Sequence, residues 1–208
     1  MIKILHNMIS SILPDLLPVI IIITVIACSL RIAYLIKHHQ KLVLYKDLYA
    51  LIFILYILCL FEIVTFQDVN YGTSNYIPFK EIFRYNFGSR LFVKNIVGNI
   101  LMFLPYGYFV SDFLKPKKVW ITLMLTILVS TTIEIVQLNI GRTFDIDDII
   151  LNAIGGIIGY LLYVGISSIT NRLPEALKKD SVINIIVVII ILIILIYASN
   201  LNIMNFFS

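Results

Sequence analysis

Charge is scarce in this chain: Asp, Glu, Lys and Arg make up 13% of its 208 residues, 60% are hydrophobic, and the mean hydropathy is +0.99. A soluble domain carries about twice that charged fraction, so a water-solvated surface is excluded. There are three histidines, and His6, His38 and His39 fall away from every polar cluster described below. No Ser or Cys nucleophile motif and no Gly-rich phosphate loop is present, which removes the usual signatures of nucleotide and hydrolase chemistry. The two cysteines, Cys28 and Cys59, lie inside apolar runs and are expected to be buried thiols, neither a disulfide nor half of a metal site. The 16 basic residues outnumber the 12 acidic ones to give a net charge of +4, but they are scattered and form no stripe that could follow a phosphate backbone. Nucleic acid is therefore excluded as a partner, and no cofactor or metal is assigned.

What the chain has in abundance is long apolar runs. Six are long enough to cross a bilayer: Leu16–Lys37, Leu44–Phe66, Asn95–Phe113, Val119–Ile140, Ile146–Thr170 and Val182–Asn200. Six spans of about 21 residues use about 126 positions and leave about 82 for every loop and tail. None of the runs alternates with period two, and a lone helix satisfies its own backbone in lipid, so the expected fold is an all-α polytopic membrane bundle. Val25-Ile26-Ala27-Cys28 loosely matches the site at which lipoprotein precursors are cut, but the apolar run continues past it and a basic cluster follows, so the first span is expected to stay uncleaved.

Lys and Arg collect in alternate loops. Lys37, Lys41 and Lys46 mark the first, Lys115, Lys117 and Lys118 the third, and Arg172, Lys178 and Lys179 the fifth; with Arg31 they are ten of the sixteen. Those loops are expected on the cytoplasmic side and both termini outside. The second loop, Gln67 to Lys94, is the longest. Phe79, Ile82, Phe83 and Phe87 recur there at helical spacing among Lys80, Arg84, Arg90 and Lys94, as expected of a short amphipathic helix in the headgroup layer that contacts membrane lipids.

Polar residues inside lipid each cost about 2.5 to 3.5 kcal/mol when charged and so mark structure or function. Asn95 and Asn99 share a face of the third span. Ser130, Glu134 and Gln137 form a stripe in the fourth. Arg142 sits in the following turn, Asp145 is a credible N-cap of the fifth helix, and Asp148 and Asn152 share a face leading to Gly155, Gly156 and Gly159. All lie toward the same predicted membrane side. Folding the three spans together is expected to gather Asn95, Asn99, Glu134, Gln137, Arg142, Asp145, Asp148 and Asn152 around one outward-facing pocket, with Phe79, Lys80, Phe83 and Arg84 at its interfacial rim.

Four ordered blocks carry a family resemblance. They are Asn75-Tyr76-Ile77-Pro78-Phe79; Asn95-Ile96-Val97-Gly98-Asn99 running on to Pro105-Tyr106-Gly107; Ser130 with Ile133-Glu134 and Gln137; and Arg142-Thr143-Phe144-Asp145-Ile146-Asp147-Asp148 with Asn152, Gly155, Gly156 and Gly159. Their order and spacing resemble the VanZ-like family of bacterial membrane proteins, with Tyr106 standing where a smaller apolar residue is common. The resemblance divides the chain into an N-terminal helix and cytoplasmic loop (1–49), a VanZ-like core (50–165) and a C-terminal loop and helix (166–208). It implies a multi-pass protein of the bacterial cytoplasmic membrane linked to glycopeptide resistance, and to teicoplanin, the lipid-bearing drug, more than vancomycin. It brings no catalytic residue.

Two functions follow as expectations. One is a binder of a lipid-anchored lipoglycopeptide antibiotic or a lipid-linked cell-wall precursor at the outward pocket. The other is an intramembrane enzyme acting on a lipid-linked envelope substrate, with Glu134, Asp145, Asp147 and Asp148 as acid, base or divalent-ion groups. Transport has less support, since no inverted repeat is visible.

Overall fold

The computed structural model describes the backbone of residues 2–66 and 73–207, and side-chain surroundings for Pro14, 16–64 and 73–194. Six long helices run in chain order: α1 (Ile2–Lys37), α2 (Leu44–Phe66), α3 (Arg90–Leu114), α4 (Val119–Asn139), α5 (Ile146–Arg172) and α6 (Asp180–Phe207). The first five contain stretches long and apolar enough to cross a membrane, and α6 is a continuous helix of 28 residues whose described part, Asp180–Ile194, is apolar. There is no β-strand among the described residues. This is the all-helical membrane bundle that the apolar runs predict.

The core is built from α3, α4 and α5. On α4, Thr122, Thr126, Ser130, Glu134 and Gln137 are all buried, while Trp120, Met124, Leu128 and Ile135 on the opposite side are exposed. This inside-out pattern is what lipid solvation demands: apolar side chains gain nothing by leaving the hydrocarbon, so polar ones turn inward to find partners. They find them. Ser111 Oγ lies 2.9 Å from Thr122 Oγ1 and donates to Gly107 O at 2.6 Å, and Thr126 Oγ1 donates to Thr122 O at 2.8 Å. The Ser111–Thr122 bond joins α3 to α4 and contributes about 0.6 kcal/mol in a bilayer, while the other two back-bond within their own helices.

Glycine closes the α3–α5 seam. A Cβ on Gly107 would stand 2.2 Å from Gly156 O, one on Gly155 2.4 Å from Ile100 O, and one on Gly159 2.2 Å from Leu104 O. Backbone therefore meets backbone, and the small-xxx-small spacing of Gly155 and Gly159 serves packing within the chain. Gly156 faces α4 as well, against Thr126.

Side-chain bonds fix which ends are neighbours. At one end of the bundle Tyr49 OH donates to Asp112 Oδ2 at 2.8 Å, Arg31 pairs with Asp47 at 2.6 Å, and Lys46 pairs with Asp180 at 3.3 Å. The three basic connections lie at this end. At the other end Val64 O on α2 accepts from Gln137 and Arg142. Between the two ends, Leu60, Val64 and Phe103 form an apolar cluster with Tyr56, Met102, Tyr106, Val129 and Ile133 around it.

Three local readings of the sequence are corrected. The third span begins at Arg90, one turn before Asn95, and opens with a wide π turn over Val93–Val97, in which Gly98 N–H reaches back to Val93 O. The amphipathic helix expected across Phe79–Phe87 is a chain of turns with one 3-10 turn, Ile82–Arg84. The physical reason is that Phe79, at φ 67°, stands outside the right-handed helical region while its N–H and those of Glu81 and Ile82 are gathered by the carboxylate of Asp147 on α5, and Tyr85, extended at φ −87° and ψ 129°, ends the 3-10 turn. Finally, Cys28 is exposed on α1 and Cys59 is half-buried on α2; both are free thiols. Positions 67–72 of the second loop lie outside the described residues.

Candidate functional site

The site lies where α3 and α5 begin and α4 ends. Asp145 is the N-cap of α5, its side chain accepting from Asp147 N at 2.9 Å, which meets one of the orphan donors of the first helical turn. Asn75 locks this cap from the long loop. Its backbone pairs with the chain at Phe144 and Ile146 in an isolated parallel bridge, and its Nδ2 donates to Asp145 Oδ1 at 2.9 Å. Glu134, 2% exposed, reaches up from α4 and accepts from Asp145 N at 2.8 Å. Burial pushes the Asp145 carboxyl above its ordinary range, against the downward pull of the Asn75 amide and the Asp147 N–H.

Asp147 organises the loop. Its side chain is 1% exposed and accepts from Phe79 N, from Glu81 N at 2.7 Å and from Ile82 N at 3.1 Å. These bonds hold Phe79 at φ 67°, a left-handed conformation that costs a non-glycine residue about 1–2 kcal/mol. With its oxygens so engaged, Asp147 is a structural carboxylate and is poorly placed to serve as acid, base or ion ligand.

At the next position along α5, Asp148 accepts from Asn99 Nδ2 on α3, and one turn beyond that Asn152 Nδ2 donates to Ser130 Oγ at 2.8 Å. Gln137 Nε2 and Arg142 Nη1 both donate to Val64 O, at 3.3 and 3.0 Å. Gly141, at φ 85°, turns the chain between α4 and α5 so that Arg142 N can bond Gln137 O at 2.9 Å. Among the described residues Arg142 forms no direct ion pair, and its charge acts on Glu134 and Asp148 across the recess.

Two adjoining cavities result. The inner one, about 180 Å³, is lined by Asn95, Asn99, Glu134, Gln137, Arg142, Asp148 and Asn152 over an apolar side that includes Met102, Phe103 and Ile133. The outer one, about 750 Å³, adds Asp145, Asn75, Lys80, Glu81 and Arg84. Lys94, Asn95, Gln137, Arg142 and Asp148 line both. All eight predicted pocket residues therefore come together around one polar recess. Of the four rim residues, Lys80 and Arg84 line the outer cavity, whereas Phe79 and Phe83 are exposed beside it, Phe83 by 83%.

Asn75 and Lys94 belong to the recess and were not among the predicted pocket residues. Nothing in the spacing around Asn75 marks it, because its partner is 70 residues away. Lys94 is hidden for another reason. It stands one turn before Gly98 and beside Asn95 on the face that lines the inner cavity, but the apolar run of the sequence starts only after it, so it reads as a loop cation. Thr122 and Thr126, by contrast, continue the Ser130–Glu134 spacing and were legible by extending it.

A polytopic helical bundle with a buried polar recess at one end defines the class: a multi-pass membrane protein built around an intramembrane polar site. The VanZ/LLP1 family model matches residues 48–170, and the chain belongs to that family. Protein VanZ of Enterococcus faecium is 28% identical over 112 residues, which is 53% of this chain and 66% of that protein, just under two thirds of its length. No solved structure matches the chain.

Proposed function

We propose that the chain protects the envelope against lipoglycopeptide antibiotics of the teicoplanin type, by binding a lipid-anchored drug or a lipid-linked envelope precursor at the polar recess from the outer side of the cytoplasmic membrane. The observation that carries this reading is the convergence of eight intramembrane polar residues from α3, α4, α5 and the α4–α5 turn on two joined cavities at one end. Groups so costly to insert are retained where they meet a ligand. The outward orientation rests on the ten basic residues that mark the opposite side. Exposed Phe79, Phe83 and Phe87 beside the recess offer an apolar landing for an acyl tail at headgroup depth. The similarity to Protein VanZ supports the same reading.

The test is teicoplanin and vancomycin susceptibility in a strain lacking the gene, restored with wild type, Glu134→Gln or Asp148→Asn at matched membrane levels. Both variants keep a side-chain acceptor for the bonds now made by Asp145 N and Asn99, so the local fold is retained. Wild type is expected to rescue from teicoplanin selectively, and either variant to lose the rescue. Equal susceptibility of all strains would refute drug protection.

A second reading, chemistry on a lipid-linked substrate, draws on the presence of both Glu134 and Asp148 in the inner cavity. Turnover of such a substrate by purified protein, abolished in both variants, would favour it over binding.

A further inference from the structure

The recess is lined by basic and acidic side chains together, with Glu134 and Asn152 in the inner cavity only and Lys80 in the outer cavity only. At the bottom, Asn152 is 3% exposed and lines the inner cavity; its Nδ2 is taken by Ser130, but its Oδ1 has no partner among the described residues. A buried amide oxygen left without a donor costs about 1–3 kcal/mol, so it marks the place where an incoming donor is rewarded. Glu134 and Asp148 line the same inner space, each bonded through one carboxyl oxygen, by Asp145 N and Asn99 Nδ2 respectively. The floor is thus rich in acceptors.

Toward the mouth Lys80 joins Lys94 and Arg142, which line both cavities. Lys80, Lys94 and Arg142 line the outer cavity and, among the described residues, none forms an ion pair; only Arg84 is paired, with Glu81 at 3.1 Å. The acidic groups at this level, Asp145 and Asp147, are bonded by Asn75 and by backbone N–H groups. A simple anion would leave the acceptors of the floor without a donor. A simple cation would leave Lys80, Lys94 and Arg142 without a partner. A dipolar headgroup entering with its ammonium first and its phosphate last satisfies both.

We infer that the recess is a site for an amphiphile whose headgroup carries an ammonium and a phosphate, the ammonium directed to Asn152, Glu134 and Asp148 and the phosphate held by Lys80, Lys94 and Arg142. This rests on the reading of the recess as a ligand site and names the ligand class. Charge-assisted hydrogen bonds supply the selectivity: the ammonium donates to the unpartnered Asn152 Oδ1, which a quaternary ammonium cannot do.

The experiment uses the full chain purified in a non-ionic maltoside detergent and titrated with oleoyl lysophosphatidylethanolamine, lysophosphatidylcholine and lysophosphatidylglycerol. The ethanolamine lipid, which has both groups, is expected to bind at least about tenfold more tightly than the choline lipid, which lacks N–H donors, and than the glycerol lipid, which offers hydroxyls only. Asn152→Leu should erase the ethanolamine-over-choline preference, and Lys94→Met with Arg142→Met should weaken all three lipids alike. Equal binding of the three by wild type, or tighter binding of the glycerol lipid, would overturn the inference, and neither result depends on a variant folding. The susceptibility test stands apart. Loss of drug rescue in Glu134→Gln with no lipid preference refutes the headgroup assignment alone, whereas a clear lipid preference without drug rescue refutes drug protection alone.

Discussion

Replacing Asp147 with Asn should open the long loop without unfolding the bundle. The carboxylate receives three backbone N–H bonds, from Phe79, Glu81 and Ile82, and hydrogen bonds to charged groups contribute about 1.5–3 kcal/mol each. An asparagine can place its one oxygen where Oδ2 now accepts from Glu81 N and Ile82 N, but it then turns an NH₂ toward Phe79 N and loses the charge, so one bond fails and the other two weaken. The gross loss is about 3–6 kcal/mol, reduced to about 2–4 kcal/mol because water can replace part of it at the loop's outer side. The strain of Phe79 at φ 67° then pulls in the same direction, toward release. At about 1.4 kcal/mol per factor of ten, amide hydrogen exchange across 77–84 should quicken by about 30-fold to about 1,000-fold in protein held in lipid nanodiscs. Exchange in the middle of α5, across 150–165, should be unchanged. Unaltered exchange at 77–84 would refute the idea that one carboxylate carries the loop, and equal acceleration in both segments would refute its local character.

The glycine seam and the membrane orientation give two further expectations. Gly159→Ala places a methyl group 2.2 Å from Leu104 O and 2.6 Å from Tyr108 N, and should lower stability by about 1–3 kcal/mol in thermal unfolding, whereas Gly165→Ala, with open space around it, should be neutral or stabilising by up to about 1 kcal/mol. A melting temperature lowered equally by both would show that helix propensity, not the seam, is being measured. In a chain carrying Cys28→Ser and Cys59→Ser, an impermeant maleimide added to intact cells should label Asn86→Cys but reach Lys117→Cys only after permeabilisation; the reverse pattern would place the recess on the cytoplasmic side.

Much of this molecule is written in patterns that a single sequence displays. Length and hydropathy give the helices, because a span must satisfy its own backbone and solvate itself in lipid over a fixed thickness. Four-residue spacing gives the faces, so Asn99, Glu134, Gln137, Asp148 and Asn152 could be aimed at one another before any packing was known. The N-cap role of Asp145 was equally visible, from its position before an apolar run. The loop was not. Phe79, Ile82, Phe83 and Phe87 have helical spacing, yet the partner that shapes that segment, Asp147, lies more than 60 residues on, and the turn it gathers around Phe79 leaves no mark in periodicity. Lys94 reads as a loop cation because the apolar run starts at Asn95, whereas the helix begins at Arg90.

The contact of Gly107, Gly155 and Gly159 with facing backbone has a mechanical meaning for the recess. Side chains between helices act as springs, since rotamers can change and gaps can be refilled, but two backbones in direct contact have nothing to compress. α3 and α5 therefore form a single stiff plate, and the Asn99–Asp148 bond spans it as a fixed fitting. Compliance is left to the walls that stand against the plate through side chains: α2, held at this end by the two bonds to Val64 O, and the loop hung from Asp147. If the recess takes a ligand as proposed, α2 and the loop are the parts that yield while the plate keeps its shape.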